Sequence, residues 1–163
     1  MASLVGVKLP DVALTATNGE QINLSKMPIK LVLFVYPYTG VPGIPDPEGW
    51  DDIPGAHGST PQALAFSYRF AEFERLDVKV FGVSLQSSEW QSEFVKRTQL
   101  AFPLLSDEKA TFCTALALET FQAGNTNYLT RRTFIVEHGI ITHDFYPVIK
   151  PAANADEVLK VLQ

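Results

Sequence analysis

The chain has 163 residues, 46% of them hydrophobic and 19% charged, which is the length and apolar content of one globular domain spanning 1–163. A formal net charge of -5 argues against nucleic acid or an anionic membrane as a partner, because both select clusters of Lys and Arg. The sequence has neither a signal-peptide pattern nor a membrane-length apolar run, so we expect a cytoplasmic protein whose ligand is small or another protein.

The N-terminal part predicts a β-hairpin and then a buried strand. Residues 11–15 and 21–24 flank Asn18 and Gly19, a pair that favours a tight type I′ turn. Residues 30–36 are almost continuously apolar, as in a strand that is covered on both faces of a central sheet.

A long loop and an amphipathic helix follow. Pro and Gly crowd residues 37–58, which predicts a loop of a length that is often functional. Apolar residues then recur at helical spacing over 61–76, and these are Ala63, Phe66, Phe70, Phe73 and Leu76.

The rest of the chain alternates strands and helices. The predicted strands are 78–85, 102–105, 132–136 and 140–145, and the predicted helices are 89–97, 107–118 and a closing helix to residue 162. Ser88 with Gln91, and Asn154 with Glu157, have the spacing of capping boxes. The order predicts an α/β fold with an N-terminal β-hairpin and a central mixed sheet that has helices on both faces.

Three stretches in this order resemble the peroxiredoxins of the bacterioferritin-comigratory, or Q, class, which have a thioredoxin-like fold. Residues 6–11 read GVKLPD, residues 34–37 read FVYP and are followed later by STPQALAF at 59–66, and residues 131–136 read RRTFIV. The resemblance places Ser59 where the family has its peroxide-attacking cysteine and Leu64 where it has a second cysteine.

That alignment requires an insertion in the long loop. An ungapped reading from Tyr36 and Pro37 would put Ile44 at the cysteine position, so the choice of Ser59 assumes about fifteen extra residues in a loop that tolerates them. We prefer Ser59 because a helix follows it, whereas Pro45 and Pro47 follow Ile44.

The resemblance implies a thiol-dependent peroxidase that reduces hydrogen peroxide or organic hydroperoxides without cofactor or metal. Residue 59 would attack the peroxide, Arg131 would stabilise charge, and Thr39 would orient the substrate in place of the family threonine, which is Ala56 here. Gly58 and Pro37 would contribute to substrate binding. Thioredoxin or glutaredoxin would be the reductant, and the assembly would be a monomer or a weak homodimer.

Serine cannot complete this chemistry, because its hydroxyl ionises far less readily than a thiol and cannot become a sulfenic acid. We therefore expect the chain as written to be inactive. Two explanations are open. Either Ser59 is an engineered replacement of a parental cysteine, or it is natural and the protein is a non-catalytic thioredoxin-fold binding or regulatory module.

Simpler interpretations of the same residues are also open. Ser59 and Gln62 have capping-box spacing. Arg131 and Arg132 must face opposite sides of a strand, so one would face the site and the other solvent. Cys113 lies among apolar helical residues and is expected to be a buried, inert thiol. The three histidines have no metal-ligand spacing.

Overall fold

The computed structural model describes residues 2–163, and its elements follow the predicted alternation of strands and helices. The strands are β1 (Ala13–Ala16), β2 (Gln21–Asn23), β3 (Lys30–Val35), β4 (Val78–Ser84), β5 (Leu104–Ser106), β6 (Thr120–Ala123), β7 (Thr126–Leu129), β8 (Arg132–Glu137) and β9 (Ile140–Phe145). The α-helices are α1 (Ser59–Tyr68), α2 (Phe70–Arg75), α3 (Ser88–Thr98), α4 (Thr111–Ala115) and α5 (Asn154–Leu162). Short 3-10 turns lie at Leu24–Lys26, Trp50–Asp52 and Pro151–Ala153.

Seven strands form one mixed sheet in the order β2-β1-β5-β4-β3-β8-β9. The central strands β3, β4 and β5 are parallel, while β8 runs antiparallel to β3. Leu31 and Leu33 of β3 pack on one face and Val32 and Phe34 on the other, all fully buried, because successive side chains of a strand alternate. The predicted mixed sheet with an N-terminal hairpin is confirmed.

Helices cover both faces of this sheet, as predicted. α1, α2, α3 and α5 pack on the face of Phe34, and the shorter α4 packs on the face of Leu33. Within residues 2–163, no helix combines the length and the apolar character that crossing a membrane requires.

Two predicted helices are shorter than the sequence pattern indicates. The helix predicted over 61–76 begins earlier, at Ser59, and divides into α1 and α2 at Arg69, whose backbone (φ -95, ψ 9) leaves the helical region. The helix predicted over 107–118 is only α4, because Ala110 and Ala117 at its two ends have positive φ angles of 60 and 53.

The β6–β7 hairpin was not predicted, and it explains why the long loop is ordered. The loop packs its aromatic residues against the hairpin: the ring centroids of Trp50 and Tyr128 are 5.0 Å apart, and those of Tyr38 and Trp50 are 5.3 Å apart. Trp50 is buried there with Ala56 and Ala123. The loop thus has a small apolar core of its own.

The turn type and the helix caps predicted from the sequence were less accurate than the predicted order of strands and helices. In the first hairpin only Gly19 of the pair has positive φ, so the turn is not type I′, which requires positive φ at both central residues. Helix α3 is capped by Ser87, whose side chain accepts from the Trp90 N–H, rather than by Ser88. Asn154 does not cap α5; it lies inside the helix and is fully buried.

Candidate functional site

Ser59 is the first residue of α1, and its side chain points into the protein. The preceding residue, Gly58, is the N-cap and has a φ of 115, which favours glycine. A Cβ at Gly58 would lie 2.7 Å from Cγ of Pro151, so the turn also needs glycine for space. Ser59 is only 2% exposed. The predicted cap is therefore wrong: no side chain caps α1, and Gln62 is buried instead of reaching back to the helix start.

Arg131 lies directly before β8, and its guanidinium reaches the start of α1. Nη1 of Arg131 donates to Ser59 Oγ at 3.1 Å and to Gln62 Oε1 at 2.6 Å. The structure thus brings together the two residues on which the functional prediction depended.

The other terminal nitrogen of Arg131 fixes the end of the long loop. Nη2 donates to the backbone carbonyls of Gly55, Ala56 and His57, at 3.3, 3.2 and 3.1 Å. These three residues immediately precede Gly58, so the same guanidinium holds both the loop end and the first turn of the helix.

Arg131 is a buried charge without a carboxylate partner. It is 4% exposed, and burial lowers its pKa to about 10, so it remains a cation at neutral pH. Among the described residues no carboxylate lies within ion-pair distance of it. Its Nε is buried and has no hydrogen-bond partner. A buried cation beside a helix N-terminus creates positive potential at residue 59, which favours an anionic atom there.

A cation and a helix start beside residue 59 fit the resemblance stated from the sequence, and the comparisons with known proteins agree with it. The family described as Redoxin matches residues 4–159. The chain belongs to the Redoxin family. The putative peroxiredoxin bcp of Helicobacter pylori strain J99 is 30% identical over 163 residues, which cover 97% of each chain. The chloroplastic peroxiredoxin Q of Sedum lineare is 29% identical over 156 residues, covering 94% of this chain and 75% of that protein.

Solved structures agree with the fold of this Redoxin chain. The bacterioferritin comigratory protein of Xanthomonas campestris is 28% identical, with a TM-score of 0.76 and coverage of 96% of each chain. Peroxidoxin BcpB from Mycobacterium tuberculosis has a TM-score of 0.80 at 22% identity, covers 99% of this chain and 97% of that one, and supports the fold alone. The predicted thioredoxin-like peroxiredoxin fold of the Q class is confirmed.

Thr39 and Pro37, the other predicted site residues of this Redoxin chain, follow β3 and are both buried. The hydroxyl of Thr39 contacts Gln86 Oε1 at 3.4 Å, and its carbonyl accepts from Trp90 Nε1 at 2.6 Å. Thr39 is therefore bound to the start of α3 rather than to Ser59. Its role in orienting a substrate stays a prediction, as do the roles of Pro37 and Gly58.

The prediction that one of the two adjacent arginines faces solvent is wrong for Arg132. It faces away from Arg131, as strand alternation requires, but it does not face solvent. It is 3% exposed, and its Nε donates to Oδ1 of Asp144 at 2.8 Å. Its guanidinium also lies 4.6 Å from the ring centroid of Tyr146. A buried cation needs such partners, so the second arginine stabilises the fold.

Cys113 is the only thiol of this Redoxin chain, and it lies in α4 rather than at Ser59. It is buried, and its backbone N–H donates to Oδ2 of Asp107 at 2.8 Å. Burial and the charge of Asp107 raise the pKa of the Cys113 thiol to about 11. These features agree with the predicted inert thiol.

No group of three or more His, Cys, Asp or Glu residues suitable for a metal ion occurs within 2–163. The Nε2 atom of His57 lies 2.6 Å from Oδ1 of Asp51 in the loop.

Sequence reasoning missed two buried amides that are linked to Arg131 by hydrogen bonds. Gln62 and Asn154 are both fully buried, and Gln62 Nε2 donates to Asn154 Oδ1 at 3.0 Å. Asn154 Oδ1 also accepts from Thr133 Oγ1 at 2.7 Å. The sequence spacing instead predicts a capping-box position for each of them. One signal was available for Gln62: it lies one helical turn from Ser59, on the same side of the helix.

Proposed function

We propose that position 59 is the nucleophile position of a thiol-dependent peroxidase, and that the serine replaces a parental cysteine. Hydrogen peroxide or an organic hydroperoxide would be the substrate. With serine at this position, the chain as written would not reduce peroxide. The fold and the family support the coarser part of this proposal, because the relatives of this Redoxin chain are peroxiredoxins.

The hydrogen bond from Arg131 Nη1 to Ser59 Oγ carries the proposal. A cation at 3.1 Å and the N-terminus of a helix are the two influences that most lower the pKa of a thiol. A cysteine at position 59 would therefore be a thiolate at neutral pH. The competing assignment, Ile44, is 48% exposed in the loop and begins no helix.

The reaction would proceed by nucleophilic displacement at oxygen. The thiolate sulfur bonds to one peroxide oxygen while the O–O bond breaks, and the electron pair leaves with the second oxygen. That oxygen takes a proton and departs as water or an alcohol, and the sulfur is left as a sulfenic acid. Arg131 has one buried donor without a partner, Nε, that is free to bind a peroxide oxygen or the departing oxyanion.

An external thiol would return the sulfenic acid to the thiol. It would first condense with the sulfenic acid to a disulfide, releasing water, and a second thiol would then reduce the disulfide. Leu64 occupies the place of a second cysteine, and Cys113 is buried with a raised pKa, so neither supplies that thiol. We propose thioredoxin or glutaredoxin as the reductant.

The Xanthomonas protein is described as having alkyl peroxide reduction activity. An organic hydroperoxide should therefore be tested beside hydrogen peroxide. Both test the same position, because the bond that breaks is the same in each.

The experiment is to prepare Ser59→Cys and to measure consumption of hydrogen peroxide and of tert-butyl hydroperoxide, with dithiothreitol or thioredoxin as reductant. The chain as written should consume neither, and Ser59→Cys should consume at least one. Thr60→Cys is the matched control, since it places a thiol one residue along the same helix. A folded Ser59→Cys protein that consumes no peroxide, or equal consumption by Thr60→Cys, would refute the proposal.

A natural module that binds an anion through Arg131 is less well supported. Both terminal nitrogens of Arg131 already donate to protein acceptors, so an anion would have to displace them or use Nε alone. The genomic codon for residue 59 separates this alternative from an engineered serine.

A further inference from the structure

We propose that Asn154 is a positioning residue of the nucleophile site: it orients the amide of Gln62 so that Gln62 presents an acceptor to Arg131, and thereby fixes the guanidinium beside residue 59. This inference rests on the proposed function of position 59. It assigns a role in that site to the start of the C-terminal helix α5, which contributes nothing to the sequence motif at 59–66.

A chain of hydrogen bonds links α5 to the site. Thr133 Oγ1 donates to Asn154 Oδ1 at 2.7 Å, and Gln62 Nε2 donates to the same oxygen at 3.0 Å. Gln62 Oε1 in turn accepts from Arg131 Nη1 at 2.6 Å, and that nitrogen also donates to Ser59. Thr133, Asn154 and Gln62 are each fully buried, so water does not compete for these bonds.

The direction of every bond in this chain is set by the arginine. A guanidinium has donors and no acceptor, so Gln62 must turn its oxygen toward Arg131. The amide nitrogen of Gln62 then faces Asn154, and Asn154 must accept this hydrogen bond with its side-chain oxygen. Thr133 has a hydroxyl that donates to the same oxygen and so holds Asn154 in that orientation. If Asn154 turned over, two amide nitrogens would face each other in a buried site.

The orientation of Asn154 leaves one buried donor without a hydrogen bond, which lowers the stability of the fold and so calls for another explanation. Its Nδ2 is buried without a hydrogen-bond partner. An aspartate would accept the same two bonds without leaving a donor unpaired, but it would add a negative charge beside the site. A neutral acceptor leaves Arg131 as the only charge of this network, which is what an anionic nucleophile at position 59 requires.

The segment before Asn154 contacts the same helix start from outside. The Cγ atom of Pro151 lies 2.7 Å from the position that a Cβ on Gly58 would occupy, and the Pro151–Ala153 turn leads directly into α5. The C-terminal segment therefore meets α1 at two places, at Gly58 through packing and at Gln62 through the amide pair.

The experiment uses the Ser59→Cys protein and adds Asn154→Leu. The readout is the pH profile of iodoacetamide alkylation of the new thiol, measured by peptide mass spectrometry, in which Cys113 serves as a buried internal reference. Loss of the acceptor lets the Gln62 amide turn and Arg131 move away. The pKa of the new thiol should then rise by about one unit. At a pH below the thiol pKa of the Ser59→Cys protein, we therefore expect alkylation to slow about tenfold, because the thiolate fraction falls by that factor.

A second pair of variants keeps the test decisive if Asn154→Leu does not fold. Thr133→Val removes the hydroxyl that orients Asn154 and should slow alkylation in the same direction by a smaller factor, whereas Thr133→Ser should restore the profile of the Ser59→Cys protein. Thr98→Val removes a threonine hydrogen bond of 2.7 Å to the Phe94 carbonyl, outside this network, and should change nothing.

Unchanged profiles in folded Asn154→Leu and Thr133→Val proteins would overturn the inference. The readout separates it from the proposed function, because alkylation does not require peroxide turnover. A Ser59→Cys protein that fails to consume peroxide but still shows the shift would refute the peroxidase and leave the positioning role standing.

Discussion

Arg131 Nη1 donates to Ser59 Oγ at 3.1 Å although 72 positions separate the two residues along the chain. The sheet register explains how they meet. In the antiparallel pair β3–β8, Val35 lies opposite Arg132, so the last residue of β3 and the first residue of β8 lie side by side at the same end of the sheet. The long loop follows β3 and ends beside this point, where α1 begins at Ser59. Arg131 fixes the last residues of the loop by donating to their backbone carbonyls.

The first prediction concerns Arg131 in the Ser59→Cys background. Arg131→Lys keeps a charge but cannot hold Ser59, Gln62 and the loop carbonyls with one planar group, and Arg131→Leu removes the charge. We expect peroxide reduction to fall about 100-fold or more for Arg131→Leu, the usual loss when a stabilising donor is removed, and by less for Arg131→Lys. Single-turnover peroxide consumption measures this.

Arg97→Lys is the matched control for Arg131, because Arg97 pairs with Glu93 at the protein surface. It should leave the rate unchanged. Equal rates in Ser59→Cys with and without Arg131→Leu would mean that the arginine does not stabilise the reacting charge.

The second prediction concerns Cys113 and pH. Its thiol pKa is raised to about 11 in the folded protein, first by burial and then by the charge of Asp107, against 9.0 for a free thiol. Between pH 9 and 11 the folded state retains a proton that the unfolded state loses, so this thiol lowers stability as pH rises through that window.

Cys113→Ala should therefore flatten the decline of the free energy of unfolding between pH 9 and 11, as measured by urea denaturation at several pH values. In the Ser59→Cys protein the same substitution should leave peroxide consumption unchanged at neutral pH. A loss of turnover in Cys113→Ala would instead identify Cys113 as a resolving thiol.

The pairing of Ser59 with Arg131 was accessible from sequence because both residues lie in motifs that have recognisable neighbours. The amide pair Gln62 and Asn154 was not. Local spacing assigned each of them to a cap, and only the packing of α5 against α1 brings them together. A buried amide and an exposed capping amide have the same sequence signature, since the difference lies in tertiary contacts.

The β6–β7 hairpin was missed for a related reason. β6 alternates exposed polar residues, Thr120 and Gln122, with less exposed apolar ones, but it is only four residues long. β7 begins with two exposed polar residues in a row, Thr126 and Asn127, so it lacks the alternation that identifies a half-buried strand. What holds the hairpin is the ring of Trp50, which comes from a loop about seventy residues earlier in the chain. No local pattern reports such a contact.

The third prediction tests the contact between Gly58 and Pro151. Gly58→Ala would place a methyl group 2.7 Å from Pro151 Cγ at a φ of 115. Gly49→Ala is the matched control, because Gly49 has a φ of 72 and nothing within 4 Å of a new Cβ. We expect a cost of about 1 kcal/mol for Gly49→Ala from backbone strain. For Gly58→Ala we expect a further 1 kcal/mol or more, at roughly the level of overpacking in a core.

Urea denaturation of both glycine variants measures the difference. Since Gly58 is the N-cap of α1, Gly58→Ala should also slow alkylation of the thiol in Ser59→Cys by displacing the helix start. Equal destabilisation by Gly58→Ala and Gly49→Ala would show that the C-terminal segment yields to the methyl group and does not fix the turn.

The fourth prediction concerns the buried pair Arg132 and Asp144. Both side chains are 3% exposed, and Asp144 also accepts from the backbone N–H of Leu4 at 2.8 Å. Asp144→Leu leaves a buried guanidinium without its carboxylate, so the free energy of unfolding should fall by about 3 kcal/mol or more. The double variant Arg132→Met with Asp144→Leu removes both charges and should recover most of that loss.

The surface pair Lys30 and Glu137 is the comparison for this prediction. Its atoms are 4.0 Å apart and its side chains are 40% and 47% exposed, so Glu137→Gln should cost well under about 1 kcal/mol. Thermal and urea unfolding of the four proteins distinguish the two cases. If the double variant is as unstable as Asp144→Leu alone, then the unpaired charge of Arg132 is not the cause of the loss, and the contacts that both variants lack, such as the hydrogen bond from the Leu4 N–H to Asp144, are.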